Sequence, residues 1–217
     1  MTEFVNGIDL FYTKTGEGRP LIMVHGNGED HTIFDEAAEV LKDRFTCYCP
    51  DTRGHGQSTP VGELHYADMA DDMIGLMEAL DLNDVVFYGF SDGGIVGLLA
   101  AAKCSRITAL IVSGANLNPK GVKQPLRLMF RWMYLLKKDP KIRLMIREPD
   151  IRDEELAGIR AKTLVLAGSK DLIVEKQTRH IAEAVPGAEL RILEGEDHGS
   201  YIVHNRKIGE IIRGFAE

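Results

Sequence analysis

Gly89-Phe90-Ser91-Asp92-Gly93-Gly94 is the stretch of sequence that decides the fold. An apolar run, residues 85–88, precedes it, and a run of small and apolar residues, 93–103, follows it. A strand that turns sharply into a helix needs small residues on both sides of the turn, and the tip of that turn holds its side chain clear of the sheet. The pattern therefore predicts that Ser91 is a nucleophile at a strand-to-helix turn.

On both sides of this stretch, short apolar runs alternate with longer segments of helical periodicity. This alternation is typical of an α/β fold, a doubly wound and mostly parallel sheet with helices on both faces. Asn6-Gly7 favours a β-hairpin, so we expect an antiparallel edge at the N-terminus. About eight strands are predicted, over residues 3–5, 8–13, 21–25, 45–49, 84–90, 107–112, 162–167 and 189–193. Helices are predicted over 33–42, 66–80, 93–103, 175–185 and 201–215.

Residues 116–158 interrupt the alternation with four prolines and two further helical patterns. We interpret this segment as a short helical cap inserted within a single domain that spans residues 1–217. Large apolar side chains gather around 126–136, among them the only tryptophan, Trp132. Trp132 and Met133 are expected to bind substrate, while most of the other apolar residues are expected to dock this helix on the sheet.

Composition excludes several classes of partner. The chain has 26 Lys and Arg against 33 Asp and Glu, a net charge of −7, and no long basic run, which argues against a nucleic-acid partner. Its apolar runs are far shorter than the roughly 20 residues of a membrane span, so no membrane partner is expected.

The N-terminal residues have no signal-peptide pattern, which indicates a cytoplasmic protein. The spacing of His and Cys residues indicates no metal site. The oligomeric state stays open.

The Ser91 motif, with its strand before and helix after, resembles the α/β-hydrolase fold family, and the resemblance covers nearly the whole chain. In that family the chain order is serine, acid, histidine. Here Asp171 follows the predicted strand 162–167, and His198 follows the next strand, 189–193. The resemblance implies that His198 takes the proton of Ser91 and that Asp171 orients the imidazole. Asp197 is a rival acid, but an adjacent residue cannot easily reach the far nitrogen of His198.

Acyl transfer also requires hydrogen-bond donors for the oxyanion. The backbone N–H of Asp92, at the start of a helix, is one predicted donor. His25-Gly26-Asn27-Gly28 resembles the oxyanion loop of the family, which implies that the N–H of Asn27 is the second. Residues 51–58 match a further family pattern, D-x-R-G-x-G-x-S, which we interpret as fixing loops rather than binding substrate.

The resemblance implies a serine hydrolase that cleaves small carboxylic esters through an acyl-enzyme intermediate and requires no cofactor. Thioesterase, carbon–carbon bond hydrolase and perhydrolase chemistry use the same three residues, so these alternatives stay open. A ligand receptor of the same fold without catalysis also stays open. Dehalogenases and epoxide hydrolases are disfavoured, because they have Asp in place of Ser91.

The side chain of Asp92 bears on the substrate. A carboxylate beside the nucleophile opposes an oxyanion unless it points away, caps the helix or meets a cation on the substrate. Residues 91–95, 100–103 and 114–116 resemble the biphenyl hydrolase-like branch of the family, which includes hydrolases of amino-acid esters. That branch usually has Trp where this chain has Phe90. Helix capping is the favoured role of the Asp92 side chain, and pairing with a substrate ammonium is the alternative. On that alternative Asp92 and Phe90 are among the expected substrate-binding residues.

Overall fold

A computed structural model describes residues 1–217 and contains one eight-stranded sheet. The strands are β1 (Thr2–Val5), β2 (Ile8–Thr15), β3 (Arg19–Val24), β4 (Phe45–Pro50), β5 (Val85–Phe90), β6 (Ile107–Ser113), β7 (Lys162–Gly168) and β8 (Glu189–Leu193). The helices are α1 (Asp35–Leu41), α2 (Tyr66–Ala79), α3 (Asp92–Lys103), α4 (Gln124–Lys137), α5 (Pro140–Arg147), α6 (Asp153–Ala157), α7 (Glu175–Ala184) and α8 (Arg206–Ala216). Two 3₁₀ turns, His31–Phe34 and Pro119–Gly121, precede α1 and α4.

The strand order is β1-β2-β4-β3-β5-β6-β7-β8. The pairs β1–β2 and β2–β4 are antiparallel, and all the others are parallel. Asn6 and Gly7 both have positive φ, 46° and 80°, as a tight hairpin turn requires. The predicted α/β sheet with its antiparallel N-terminal edge is confirmed.

Helices cover both faces of the sheet, so the central strands are buried on both sides and consist almost entirely of apolar residues. On one face, α2, α3 and α7 pack over the sheet and contribute residues such as Met73, Val96 and Ile181 to the larger core. On the other face, α1 and α8 pack together and contribute residues such as Leu41 and Ile212. Because helices cover both faces of the sheet, a functional site can form only at the ends of the strands.

The loop after β4 is fixed by a buried ion pair. The Arg53 guanidinium donates to both carboxylate oxygens of Asp72 on α2, at 2.6 Å each, and Asp72 is fully buried. Asp51 accepts hydrogen bonds from the backbone N–H groups of His31 and Gln57, both at 2.8 Å. These bonds agree with the interpretation of residues 51–58 as a loop-fixing pattern.

The structure corrects the predicted last helix. It begins at Arg206 rather than at 201, because the Asn205 side chain caps it by accepting the Lys207 N–H at 2.9 Å. Tyr201 and Ile202, whose apolar spacing suggested helix, lie in turns and are buried in the core under α1 and α8.

The segment 116–158 contains three helices, α4 to α6, where the sequence predicted two. No residue of α4 is buried, and its outer face is open to solvent. The expectation that its apolar residues mostly dock on the sheet is therefore wrong for that face. The limits of this segment as a cap stay a prediction. No helix of the structure has the length and apolar character that crossing a membrane would require.

Candidate active site

Ser91 lies at the turn between β5 and α3, with φ 54° and ψ −113°. Positive φ is uncommon for a residue with a side chain, and here it lifts the hydroxyl away from the sheet. The Ser91 N–H donates to the Ser113 carbonyl of the neighbouring strand at 2.7 Å, which secures the turn. A Cβ atom at Gly89 would lie 2.1 Å from the carbonyl oxygen of Gly93, so the turn closes only with glycine there.

Three side chains from separate loops form one hydrogen-bonded series. The imidazole Nε2 of His198 lies 3.0 Å from the Ser91 Oγ, and its Nδ1 lies 2.7 Å from an Asp171 carboxylate oxygen. That same oxygen accepts the Ile173 N–H at 2.8 Å, and Asp171 is only 4% exposed. The strands β5, β7 and β8 end at one edge of the sheet, which is why residues far apart in sequence meet there.

Asp197 has a different role from Asp171. Its carboxylate accepts the N–H groups of Gly199 at 3.0 Å and Ser200 at 2.9 Å, which shapes the turn that carries His198. These backbone bonds hold the pKa of Asp197 below its usual range. The structure thus brings Asp171, and not the adjacent acid, to the imidazole.

The two predicted oxyanion donors lie beside Ser91. Asp92 is the first residue of α3, where a helical N–H has no partner in the helix. The N–H of Asn27 donates to no protein acceptor, whereas the preceding N–H, of Gly26, donates to the Glu29 carboxylate at 2.9 Å. Backbone N–H groups without partners are suited to receive negative charge, and at Asp92 the start of α3 adds to this.

His25 supports this loop from below. It is 1% exposed, its Nδ1 lies 2.7 Å from the Gly26 carbonyl oxygen, and its Nε2 accepts the Thr52 N–H at 3.0 Å. Because burial disfavours the charged form, the pKa of His25 is lowered, so its ring stays neutral between these partners. Both ring nitrogens of His25 therefore make hydrogen bonds to the protein backbone.

The Asp92 side chain faces the site and does not cap α3. The Asn27 side-chain amide donates to its carboxylate at 2.8 Å, and the nearby Tyr66 hydroxyl also stabilises the charged carboxylate. No side chain caps the start of α3, which corrects the expectation of a capping role. Burial raises the pKa of Asp92 to about 6. Its charge is thus held by neutral donors rather than by a protein cation.

A cavity of about 220 Å³ opens over Ser91. Its walls are Gly26, Asn27, Glu29, Tyr66, Phe90, Ser91, Asp92, Asn116, Val122, Phe130, Met145, Glu148, Leu172, Ile173 and His198. Phe90 and Asp92 line it as expected, and the Phe90 ring also lies 5.0 Å from the His198 ring, centroid to centroid.

Trp132 and Met133 do not line the cavity, which corrects that expectation; Phe130 and Met145 do. Trp132 follows Phe130 by two residues, about 200° around a helix, and so points away from the site. It is 68% exposed. The apolar composition of α4 alone could not show which of its faces turns inward.

Sequence reasoning missed four polar residues of the wall: Glu29, Tyr66, Asn116 and Glu148. Glu148 accepts hydrogen bonds from His65 Nδ1 at 2.6 Å and from the Tyr66 N–H at 3.1 Å. Burial raises the pKa of Glu29. The position of Glu29 just after the His-Gly loop is the one signal that could have indicated it. The cavity wall therefore contains three carboxylates, those of Glu29, Asp92 and Glu148, and no Lys or Arg.

One group of side chains has the spacing of metal ligands. Asp30, His31 and Asp51 place ligand-type atoms within 4.8 Å of one another. However, Asp51 already accepts the His31 and Gln57 N–H groups, and Asp30 accepts the Thr32 N–H at 2.9 Å. These carboxylates therefore serve the turns that surround them.

A half-buried serine on a strand-to-helix turn, hydrogen-bonded to a histidine that a buried aspartate holds, is the arrangement of side chains found in serine hydrolases. The particular family follows from comparison with known proteins. Residues 19–149 match the family model described as alpha/beta hydrolase fold, and the chain belongs to this family.

Individual relatives agree with this family assignment. The chain is 29% identical to the human (Homo sapiens) serine hydrolase BPHL, over 98% of this chain and 84% of that protein. Among solved structures, the esterase EaEST from Exiguobacterium antarcticum has a TM-score of 0.83 at 20% identity, over 100% of this chain and 99% of that one. The meta-cleavage product hydrolase CumD from Pseudomonas fluorescens IP01 has a TM-score of 0.80 at 19% identity, over 100% and 96%. These two likenesses show the fold.

Proposed function

We propose that this protein is a serine hydrolase that cleaves small carboxylic esters, with Ser91 as nucleophile, His198 as general base and Asp171 as the group that orients the imidazole. The observation that carries the proposal is the hydrogen-bonded series from Ser91 Oγ to His198 and on to Asp171, with distances of 3.0 and 2.7 Å. Serine is a weak nucleophile at neutral pH, and this arrangement removes its proton as it attacks.

In the first half-reaction, Ser91 Oγ attacks the ester carbonyl while His198 Nε2 takes the serine proton. The Asp171 carboxylate accepts the Nδ1–H, which keeps Nε2 free as the acceptor and stabilises the imidazolium that forms. His198 then gives its proton to the leaving alcohol oxygen as the carbon–oxygen bond breaks, and Ser91 keeps the acyl group.

The N–H groups of Asn27 and Asp92 are the proposed donors to the oxyanion. Both are free of protein acceptors and adjoin the nucleophile, and the start of α3 adds the positive end of a helix dipole. In the second half-reaction, water gives a proton to His198, attacks the acyl carbonyl and releases the acid, and the proton returns to Ser91. No cofactor enters any step.

Small substrates fit the site best. The cavity of about 220 Å³ is smaller than the pockets that commonly hold drug-sized ligands, about 300–1,000 Å³. The alignment with the human relative extends over 248 positions, more than the 217 residues of this chain, so that relative has segments without a counterpart here. A short cap over residues 116–158 is in keeping with this difference.

The charge of the cavity wall favours substrates with a positive group. Asp92, Glu29 and Glu148 line it without any Lys or Arg, and an α-amino ester would bring an ammonium to this wall. Asp92 and Phe90 are the proposed substrate contacts, with Phe130 and Met145 on the apolar side. Thioesters, carbon–carbon bonds and peracid formation stay alternatives, because each could use the same three residues.

The test is hydrolysis of matched p-nitrophenyl acyl and α-aminoacyl esters by the wild type, Ser91→Ala and Ser105→Ala. Ser105 is an exposed serine outside the site and serves as the matched control. We expect turnover by the wild type and Ser105→Ala, with loss in Ser91→Ala. An aminoacyl preference that Asp92→Asn abolishes would assign the ammonium site. Equal rates for wild type and Ser91→Ala, together with tight binding of a small molecule, would instead indicate a receptor.

A further inference from the structure

The outer face of α4 is the largest group of exposed apolar side chains in the molecule. Five large apolar residues of this one helix are exposed by 46–75%: Leu128, Met129, Trp132, Leu135 and Leu136. Elsewhere only Met1 and Phe4 are comparable. The spacing of the five by three or four residues places them on one side of the helix. A contiguous exposed apolar face of this kind marks an interaction surface.

The same segment concentrates positive charge. Residues 120–147 contain nine of the 26 basic residues of the chain but one of its 33 acidic residues, Asp139. The Asp139 side chain accepts the Lys141 N–H at 2.8 Å and so caps α5. Of the nine basic residues only Arg143 lies within 4.0 Å of a carboxylate, that of Glu63. The other eight have no acidic partner, in a protein whose net charge is −7.

The charges and the apolar face adjoin each other on α4. Arg127 and Arg131 lie four residues apart on α4 and form a row beside the apolar face, and Lys138 is the residue that directly follows the helix. A helix with a row of Lys and Arg next to Trp and Leu is the arrangement that lies in the headgroup region of an anionic bilayer. The apolar side chains enter the boundary of the acyl chains while the cations meet the lipid phosphates.

We propose that α4 docks this protein on anionic lipid bilayers. Charge complementarity selects this partner. A second copy packed face to face through α4 would bring two segments of the same strong positive charge together, and the apolar side chains would give a nucleic-acid backbone nothing to contact. This proposal departs from the expectation of no membrane partner, which considered only membrane-spanning runs, because α4 would lie along the interface and cross nothing.

Docking through the outer face of α4 would place the cavity over Ser91 close to the bilayer. A second cavity, of about 350 Å³, is bordered by α4 and includes Arg127 and Arg131 in its wall. It shares Val122, Phe130 and Met145 with the cavity over Ser91. The docking proposal rests on α4 alone and stands whether or not Ser91 cleaves esters.

Trp132 provides a direct measurement, because it is the only tryptophan of the chain and lies on the docking face. The probe is a set of large unilamellar vesicles, either pure phosphatidylcholine or phosphatidylcholine with phosphatidylglycerol. We expect the Trp132 emission to shift to shorter wavelength with the anionic vesicles only, the protein to co-sediment with them, and both effects to decrease as salt is raised.

Two pairs of substitutions separate the apolar and charged contributions. Arg131→Gln with Lys138→Gln is expected to lower affinity for the anionic vesicles about 30-fold, since each cation near the surface contributes about 1 kcal/mol. Leu135→Ser with Leu136→Ser is expected to abolish the emission shift. The matched controls are Arg160→Gln with Lys176→Gln and Phe4→Ser, which change exposed residues away from α4 and are expected to bind as the wild type does.

Three results would overturn the proposal. The first is an unchanged Trp132 emission without co-sedimentation. The second is equal binding to neutral and anionic vesicles. The third is a Trp132 emission shift that occurs without vesicles when the protein concentration is raised, together with a dimeric mass in sedimentation equilibrium. The third result would assign the face to a second copy of the chain.

Discussion

Gly114 lies so close to His198 that a Cβ atom at this position would stand 2.6 Å from the imidazole Cε1. Gly114 follows β6, which separates the strands that carry Ser91 and Asp171, and its φ is +63°. The backbone at this point therefore forms the wall against which the imidazole rests.

Gly114→Ala is expected to displace the imidazole and lower kcat about 100-fold, because small misplacements of reacting groups have effects of that size. The measurement is steady-state kinetics on p-nitrophenyl esters, together with the melting temperature. Gly62→Ala is the control, since a Cβ atom there meets nothing within 4 Å. If Gly114→Ala kept wild-type kcat, the contact between residue 114 and the imidazole would not matter for the reaction.

Asp171→Asn is expected to lower kcat on the order of 10⁴-fold while the fold survives, because an amide in place of the carboxylate favours the wrong tautomer of the imidazole. Asp197→Asn is the paired control, since Asp197 bonds the turn and not the ring. The measurement is kcat for both variants, with circular dichroism for the fold. Near-full activity in Asp171→Asn would place the orienting acid elsewhere.

The contribution of Asp92 to stability should depend on pH. Burial raises the pKa of its carboxyl to about 6, above the value of 3.8 that it has when solvated. The folded protein therefore holds this proton more tightly than the unfolded chain, and stability falls as pH rises from about 4 to about 6, by on the order of 3 kcal/mol in total.

Asp92→Asn removes that dependence, since the amide does not titrate. We expect the melting temperature of the variant, relative to wild type, to rise between pH 4 and pH 7 by several degrees and to stay level above pH 7. Thermal unfolding at four pH values measures this difference. A difference that is constant over the range would mean that Asp92 is not the titrating group.

The succession of strands along the chain and the residues that follow them could be predicted because they depend on local rules. The glycines around Ser91 and the apolar runs of the parallel strands each indicate one structure. Which side of α4 turns inward could not be predicted, because Leu and Met occur on both of its faces and only tertiary packing distinguishes them. The start of α8 was missed for a related reason, since the buried turn before it has helix-like spacing.

The polar residues of the cavity wall could not be predicted from the sequence, because they are far apart along the chain. Tyr66 begins α2 and Glu148 follows α5, and no pattern in either neighbourhood indicates the other. Only the folded chain shows that Glu148 accepts the Tyr66 N–H and that Tyr66 in turn reaches Asp92.

The Arg53–Asp72 pair is expected to contribute to stability through its burial. Asp72→Ala would remove the buried carboxylate and leave the guanidinium, which is 12% exposed, with only the half-exposed Asp68 at 3.3 Å, so we expect a loss of about 3 kcal/mol in the free energy of unfolding. Arg106→Ala, which removes an ion pair with the 86%-exposed Asp81, is the control and should lose less than about 1 kcal/mol. Urea denaturation measures both, and equal losses would contradict the distinction.

Glu29 is expected to position the oxyanion loop rather than to react. Its carboxylate accepts the Gly26 N–H at 2.9 Å, one residue before the proposed donor Asn27. Glu29→Ala frees that N–H and lets the loop relax, so kcat should fall about 10-fold with little change in KM, because the loss acts on the transition state. Glu29→Gln retains a side-chain oxygen that can accept the same bond, and most of the activity should return. If both variants lost activity equally, the negative charge of Glu29 would be the important property, and its role would lie with the substrate cation instead of the loop.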